Sequence, residues 1–110
     1  MIELLRFHHQ ANIWSGVYEL CCWTLLDAAS EDSPTVHPQP VREGHNIQRD
    51  EYCAFKNQTQ MEAWFPHWPM LLTHPSIRLS IFVVKTASIL PCQTIFNRGD
   101  LLCVKEYHHD

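Results

Sequence analysis

The side chains best suited to binding a metal are eight histidines and five cysteines. A zinc site needs three or four such ligands to converge, and its ligands usually follow one another at short, recognisable spacings. No Cys-x-x-Cys, His-x-x-x-His or His-x-x-Glu-His pattern occurs in the chain. The sequence therefore predicts no metal site.

Two cysteines on predicted strands, Cys53 and Cys92, are the candidates for a thiol nucleophile paired with a histidine. An activated thiolate usually lies at a helix N-terminus or beside basic groups, and neither position has such neighbours. We therefore expect Cys53 to pack as a small hydrophobic residue. The acidic pairs Glu31-Asp32 and Asp50-Glu51 fall in or beside loops, where charges are typically solvated, so they do not predict a two-carboxylate hydrolase.

Aromatic side chains are the remaining candidates for binding. Trp64, Phe65 and Trp68 recur with Met61 at spacings of three and four, which places them on one helical face and predicts that they belong to the core. Trp14 lies in a segment without periodicity. We therefore predict that Trp14 is the exposed aromatic that contacts a partner.

Composition restricts the class of protein. The 110 residues suffice for a single domain, residues 1–110, and the formal net charge is −4 with no run of Lys or Arg. Duplex nucleic acid is thus not an expected partner, since binding to phosphate backbones needs several basic groups on one face. No stretch reaches the roughly 20 apolar residues of a membrane span. With no secretion signal and an odd number of cysteines, we expect a cytoplasmic protein that does not bind membranes.

The elements that would position these side chains alternate between strands and helices. Apolar patterning predicts strands at Ile2–Phe7, Tyr52–Phe55 and Ser76–Val84, the last apolar on both faces and hence central in a covered sheet. Helices are predicted over Gly16–Ala29 and from an Asn57 cap to the break at Pro66, with a further turn from Pro69 to Leu72. Residues 8–15 are predicted to be irregular, and Ser30–Gln48 to be one long loop of the kind that is often functional.

The end of the chain predicts a hairpin. Cys92–Phe96 and Leu101–Tyr107 flank Asn97-Arg98-Gly99-Asp100, with Gly99 in the left-handed conformation. Helices among the early strands, followed by antiparallel strands, predict a mixed α/β, or α+β, fold: a small two-sheet sandwich with two or three helices.

Three segments together resemble the ADP-ribosyltransferase fold. Tyr52-Cys53-Ala54-Phe55 with the later Ala63-Trp64 is similar to that family's Y-F-A…A-x-Y segment. Gln93–Gly99 with the preceding strand is similar to its E-V-L-F-P-R-G segment, and Leu4–His8 resembles the opening strand that carries an Arg or His. The same layout is similar to that of small bacteriophage and bacterial proteins of unassigned activity.

This resemblance implies NAD as the cofactor. Arg6 or His8 would contact the ribose beside nicotinamide, Tyr52 would stack on nicotinamide with Ala54 next to it, and Gln93 would stand where the family's catalytic glutamate does. A neutral Gln93 keeps a hydrogen bond but loses the charge that stabilises the cationic transition state. Loss of one such electrostatic contact typically lowers the rate by about 10²–10³.

The sequence leaves three functions open and does not fix the oligomeric state. The first is a catalytically weakened member of this fold that binds a host or bacterial protein. The second is an active NAD-dependent ADP-ribosyltransferase that uses Arg6 or His8, Tyr52 and Gln93. The third is a globular protein without a ligand.

Overall fold

The computed structural model describes residues 1–20, 22–35 and 37–108. Its seven strands, in chain order, are β1 (Ile2–His9), β2 (Asn12–Gly16), β3 (Glu51–Ala54), β4 (Ile77–Val84), β5 (Ser88–Ile89), β6 (Thr94–Asn97) and β7 (Leu101–Glu106). They form a larger sheet in the order β2-β1-β4-β7 and a smaller sheet in the order β3-β6-β5, with every pair antiparallel.

Helices are short and separate these strands. The described residues form two α-helices, α1 (Trp23–Ser30) and α2 (Gln58–Trp64). They also form four 3₁₀ helices, at Val17–Leu20, Pro40–Glu43, Trp68–Thr73 and Arg98–Asp100. No helix in the described part of the chain is both long and apolar enough to cross a bilayer.

The larger sheet is covered on both faces because β1 and β4 are apolar on both. One face packs Leu5, Phe7 and Leu79 against the helical layer, which contributes Met61 and Trp68. The opposite face packs a second cluster against the smaller sheet: Leu4, Ala54, Phe82, Val84 and Phe96. The predicted α+β architecture with two sheets is confirmed, as is the central position of β4.

Two predictions for the first third of the chain were wrong. Residues 8–15 are not irregular, because β1 continues through His9 and β2 follows at once. As an edge strand with half-exposed side chains, β2 lacks the apolar alternation that marks a buried strand. The predicted helix over Gly16–Ala29 begins with Gly16 still in β2, then divides into the 3₁₀ helix Val17–Leu20 and α1; Cys21 lies outside the described residues.

The predicted hairpin at the end of the chain was also wrong. Its two strands lie in different sheets, because β6 is buried between β3 and β5 whereas β7 pairs with β4 at an exposed edge. The connection is a 3₁₀ helix in which the Asn97 side chain accepts a hydrogen bond from Gly99 N at 2.7 Å. Gly99 does not adopt a positive φ. This turn redirects the chain from one sheet to the other.

The long loop contains more structure than predicted. The 3₁₀ helix Pro40–Glu43 lies within it and ends at Gly44, whose φ of 86° is in the left-handed region. Val36 of this loop lies outside the described residues. The loop therefore presents one ordered turn whose position proves important for the site.

Helix α2 is capped as predicted, and side-chain hydrogen bonds that were not predicted join it to neighbouring segments. The Asn57 side chain accepts from Gln60 N at 2.9 Å. The buried Gln60 side chain then uses all four of its hydrogen-bonding positions: Oε1 accepts from Lys56 N and Thr94 Oγ1, and Nε2 donates to the carbonyls of Leu90 and Gln93. One amide thus joins α2 to the strand segment that carries Gln93.

We predict that Gln60→Met lowers the free energy of unfolding by about 2–4 kcal/mol, because it leaves buried donors and acceptors without partners. Chemical denaturation monitored by circular dichroism would measure the loss. Gln58→Met, on the exposed side of the same helix, is the control and should change stability by no more than about 0.5 kcal/mol. Equal losses in the two variants would contradict this role for Gln60.

Candidate functional site

The two sheets meet along one edge of β1. β4 pairs with the whole of one β1 edge, so the other edge is shared between two partners. Leu5 exchanges two 2.8 Å backbone hydrogen bonds with Phe55, just after β3, whereas His8 pairs with Gly16 of β2. Arg6 and Phe7 lie between these two pairings, where the flanking strands diverge.

A cavity of about 120 Å³ opens at this divergence, and we call it the junction cavity. Its polar lining residues are Arg6, Cys53 and Gln93. The remaining lining is aromatic or small and apolar: Phe7, Gly16, Val17, Tyr18, Ala54, Phe55, Trp64 and Phe65. The junction cavity is somewhat smaller than the apolar cavity of roughly 150 Å³ that can bind benzene, so it encloses at most a single small planar ring.

Arg6 anchors one side of the junction cavity. Its guanidinium, in a side chain 6% exposed, donates to three backbone carbonyls: Cys53 O at 2.6 Å, Trp14 O at 3.1 Å and Ile13 O at 3.2 Å. No carboxylate of the described residues lies within 4 Å of it. Burial lowers the pKa of this guanidinium, but arginine stays charged at neutral pH. Three of its five N–H groups make these bonds, and the other two make no hydrogen bond to a described residue.

Gln93 stands at another side of the cavity, immediately before β6. Its side chain is 4% exposed, and Nε2 donates to Pro38 O and to Glu43 Oε2, each at 2.8 Å. Oε1 makes no hydrogen bond to any described residue. Since no fully buried polar side-chain atom of the described residues lacks a partner, Oε1 is not fully buried. Oε1 is therefore the amide atom without a partner among the described residues, on a residue that lines the junction cavity.

Glu43 holds this amide from behind. One oxygen accepts from Gln93 Nε2, and the other accepts from Cys92 N at 2.6 Å. The sequence analysis missed Glu43, because an acidic residue in a Pro-containing loop is ordinarily solvated surface. The length of that loop was the only sequence feature that indicated a role.

An aromatic hydrogen-bonded group forms a third side. Trp64 Nε1 donates to Tyr18 OH at 2.9 Å, and Tyr18 OH lies 3.5 Å from His37 Nδ1. His37 stacks on Trp64 with ring centroids 4.4 Å apart, and its Nε2 donates to Trp64 O at 2.7 Å. Burial raises the pKa of Tyr18, so its hydroxyl stays protonated and available as a donor.

Cys53 is not an activated nucleophile in this setting. Burial raises the pKa of its thiol, which outweighs the opposing effect of the Arg6 charge. A thiol in its protonated form neither attacks electrophiles nor binds metals well. Among the described residues, no group of three or more His, Cys, Asp or Glu side chains is placed to hold a metal ion.

The structure brings together Arg6, Ala54 and Gln93, and places the other predicted site residues elsewhere. Tyr52 packs against Trp14, with ring centroids 4.8 Å apart, and lies 5.4 Å from the Arg6 guanidinium carbon. Trp14 is half-buried, with Arg98 over its ring at 4.8 Å. Neither Tyr52 nor Trp14 lines the junction cavity.

His8 is likewise outside the cavity and is held in one protonation state. Its Nδ1 lies 2.9 Å from His9 O and therefore carries a proton, so Nε2 accepts from Ser80 Oγ at 2.8 Å. Burial lowers the pKa of His8, and the nearby charges of Arg6 and Arg78 act in the same direction.

Two antiparallel sheets, joined at a shared strand with an aromatic cavity at the junction, define a small α+β domain. The family described as bacteriophage T4 Y00F protein has a sequence model that matches residues 2–110, and the chain belongs to that family. No curated protein and no solved structure matches the chain. The predicted similarity to bacteriophage proteins is thus confirmed, and the ADP-ribosyltransferase resemblance stays a prediction.

We predict that Arg6→Met lowers the free energy of unfolding by about 3 kcal/mol, because three part-buried carbonyls lose a charged donor. Arg6→Lys keeps the charge but not the planar fork, so it should fall between this variant and the unaltered protein. Urea titration would measure both. Arg49→Met, at an exposed position, should cost no more than about 0.5 kcal/mol, and a similar loss there would contradict the anchoring role.

We predict that His8 makes the fold less stable at mildly acidic pH. Its pKa in the folded state is below the ordinary 6.5, so the unfolded chain binds the proton more tightly. Stability from this residue is complete above pH 6.5 and declines as the pH falls through that value. Between about pH 7 and pH 5, unfolding free energies of His8→Gln should fall less steeply than those of the unaltered chain. His108→Gln, at an exposed position, should leave the slope unchanged.

Proposed function

We propose that the junction cavity binds the nicotinamide group of NAD, in a catalytically weakened domain of the ADP-ribosyltransferase fold. One observation carries the proposal. Arg6, Ala54 and Gln93 come from the start, middle and end of the chain, and all three line a single cavity.

The lining complements nicotinamide chemically. The aromatic side chains Phe55, Trp64 and Phe65 offer faces and edges to a planar ring. A carboxamide needs one acceptor for its N–H groups and one donor for its carbonyl. The open Oε1 of Gln93 is such an acceptor, and the unused N–H groups of Arg6 are such donors.

In this proposal Tyr52 does not stack on the nicotinamide ring. Tyr52 supports the Arg6 guanidinium from outside the cavity. Phe55 and Tyr18 line the cavity itself, so we assign contact with the nicotinamide ring to them.

Weak catalysis follows from the position of charge in the site. The residue open to the cavity is the neutral Gln93, whereas the carboxylate of Glu43 is engaged by Gln93 Nε2 and Cys92 N. A cationic transition state in the cavity would thus meet an amide dipole in place of a full charge. Relative to an acidic residue at this position, we expect a rate lower by about 10²–10³ or more.

Binding of a macromolecule is the role we propose for this weakened domain. Tyr18 lines the cavity, and its ring lies 6.3 Å from that of Trp23, which is 55% exposed. Exposed aromatic pairs of this kind are enriched where proteins contact partners. Since the chain belongs to a bacteriophage protein family, we propose a protein of the bacterial host as the partner.

We predict that millimolar nicotinamide shifts the backbone amide NMR signals of Gly16, Ala54 and Phe55, because their residues line the cavity. Affinity in the millimolar range is expected for so small a ligand. A Gln93→Leu variant, which removes the acceptor, should weaken binding about tenfold. Gln39→Leu, at an exposed position, is the matched control and should bind as the unaltered chain does.

Absence of any shift at the cavity residues would remove the nicotinamide assignment. Incubation with NAD labelled in the nicotinamide ring tests the catalytic part separately. Release of label at a rate typical of active transferases would show that the domain is not weakened and favour an enzyme. Trace release together with nicotinamide binding is the result that we expect.

A further inference from the structure

We infer that Glu43 is the positioning residue that turns the carbonyl oxygen of Gln93 into the junction cavity, and that it thereby selects ligands that donate a hydrogen bond there. This inference rests on the proposed function and specifies its ligand class. It depends on the hydrogen bonds around one buried amide.

The orientation of the Gln93 amide is set by two acceptors. Nε2 lies 2.8 Å from both Pro38 O and Glu43 Oε2, and neither a carbonyl nor a carboxylate can donate. Rotating the amide by half a turn would place Oε1 against these two oxygens. That arrangement would break two hydrogen bonds and oppose like partial charges, so the amide is held with Oε1 toward the cavity.

Glu43 is itself well fixed for this task. Its second oxygen accepts from Cys92 N at 2.6 Å, so its two oxygens accept hydrogen bonds from the consecutive residues Cys92 and Gln93. On its own side, the 3₁₀ helix that begins at Pro40 is closed by Gly44 N donating to Val41 O and by His45 N donating to Pro40 O. A turn of the long loop thus carries its carboxylate to the back of the cavity wall.

This wall distinguishes two ligands of nearly the same shape. A carboxamide can donate to Gln93 Oε1, whereas a carboxylate would meet it acceptor to acceptor, with the negative charge of Glu43 just behind. Arg6 attracts either group from another side of the cavity. The ratio of the affinities for the amide and for the acid therefore measures the effect of the Gln93–Glu43 pair.

The test compares nicotinamide with nicotinate, its carboxylate counterpart at neutral pH, by NMR titration of the cavity amides. We expect the unaltered chain to bind nicotinamide about tenfold or more tightly than nicotinate. Glu43→Gln removes the negative charge and allows the side chain at position 43 to donate to Gln93 Oε1, so only Pro38 O still holds the amide in its original orientation, and the preference should fall to about threefold or less. Glu62→Gln removes an acid from an exposed position of α2 and should keep the full preference.

The outcomes separate this inference from the proposed function. Equal binding of both ligands by the unaltered chain, or an undiminished preference in Glu43→Gln, would overturn the role of Glu43 while nicotinamide binding stands. No binding of either ligand to the unaltered chain would overturn both. Glu43→Ala provides a second variant, in which only Pro38 O still accepts from the amide; its preference should likewise fall to about threefold or less, even if Glu43→Gln proves unstable.

Discussion

The fold depends on one buried guanidinium at the place where its two sheets meet. The carbonyls of Ile13 and Trp14 belong to β2, and that of Cys53 belongs to β3, so the Arg6 side chain joins three strands at their divergence. Burying a charge is costly unless hydrogen bonds compensate, and the planar fork of arginine supplies them to several acceptors at once. Tyr52 and Phe82 add aromatic rings near the same guanidinium. The sheets can separate enough to form a cavity because this group satisfies the backbone that they expose.

The long loop holds the parts of the cavity wall that Arg6 does not contact. It contributes His37, stacked on Trp64, and Glu43, bonded to Gln93, so two residues of the cavity lining are held from behind by the same segment. Gln60 fixes the Gln93 backbone from the side of α2. In this part of a chain with three glycines and seven prolines, side-chain hydrogen bonds and ring stacking thus hold the cavity wall in place.

Local patterns predicted the elements that local physics determines. The two apolar faces of β4, the Asn57 cap and the break at Pro66 all follow from residues within one turn or one strand. Local patterns did not predict β2, because an edge strand has no strong alternation of apolar and polar residues. They did not predict the separation of β6 from β7 either, because burial against strands distant in the sequence decides which strands pair. The resemblance indicated Arg6, Ala54 and Gln93, whereas Glu43, Tyr18 and His37 join the site only through tertiary contacts. Tyr52 was predicted to stack on the ligand, but its ring packs against Trp14, a contact that is decided by tertiary structure.

Under the proposed function, binding and catalysis would make different demands on the charges around the cavity. Arg6 places a cation on one side, and Glu43 places an anion behind Gln93 on another, so the cavity lies in a field directed between them. A polar, planar ligand gains from such a field without disturbing it. A transition state that develops positive charge needs the anion in direct contact, yet here the carboxylate is already engaged by Cys92 N and the Gln93 amide. The hydrogen bonds that hold the wall in place thus occupy the carboxylate of Glu43, and under the proposed function this arrangement would favour recognition over turnover.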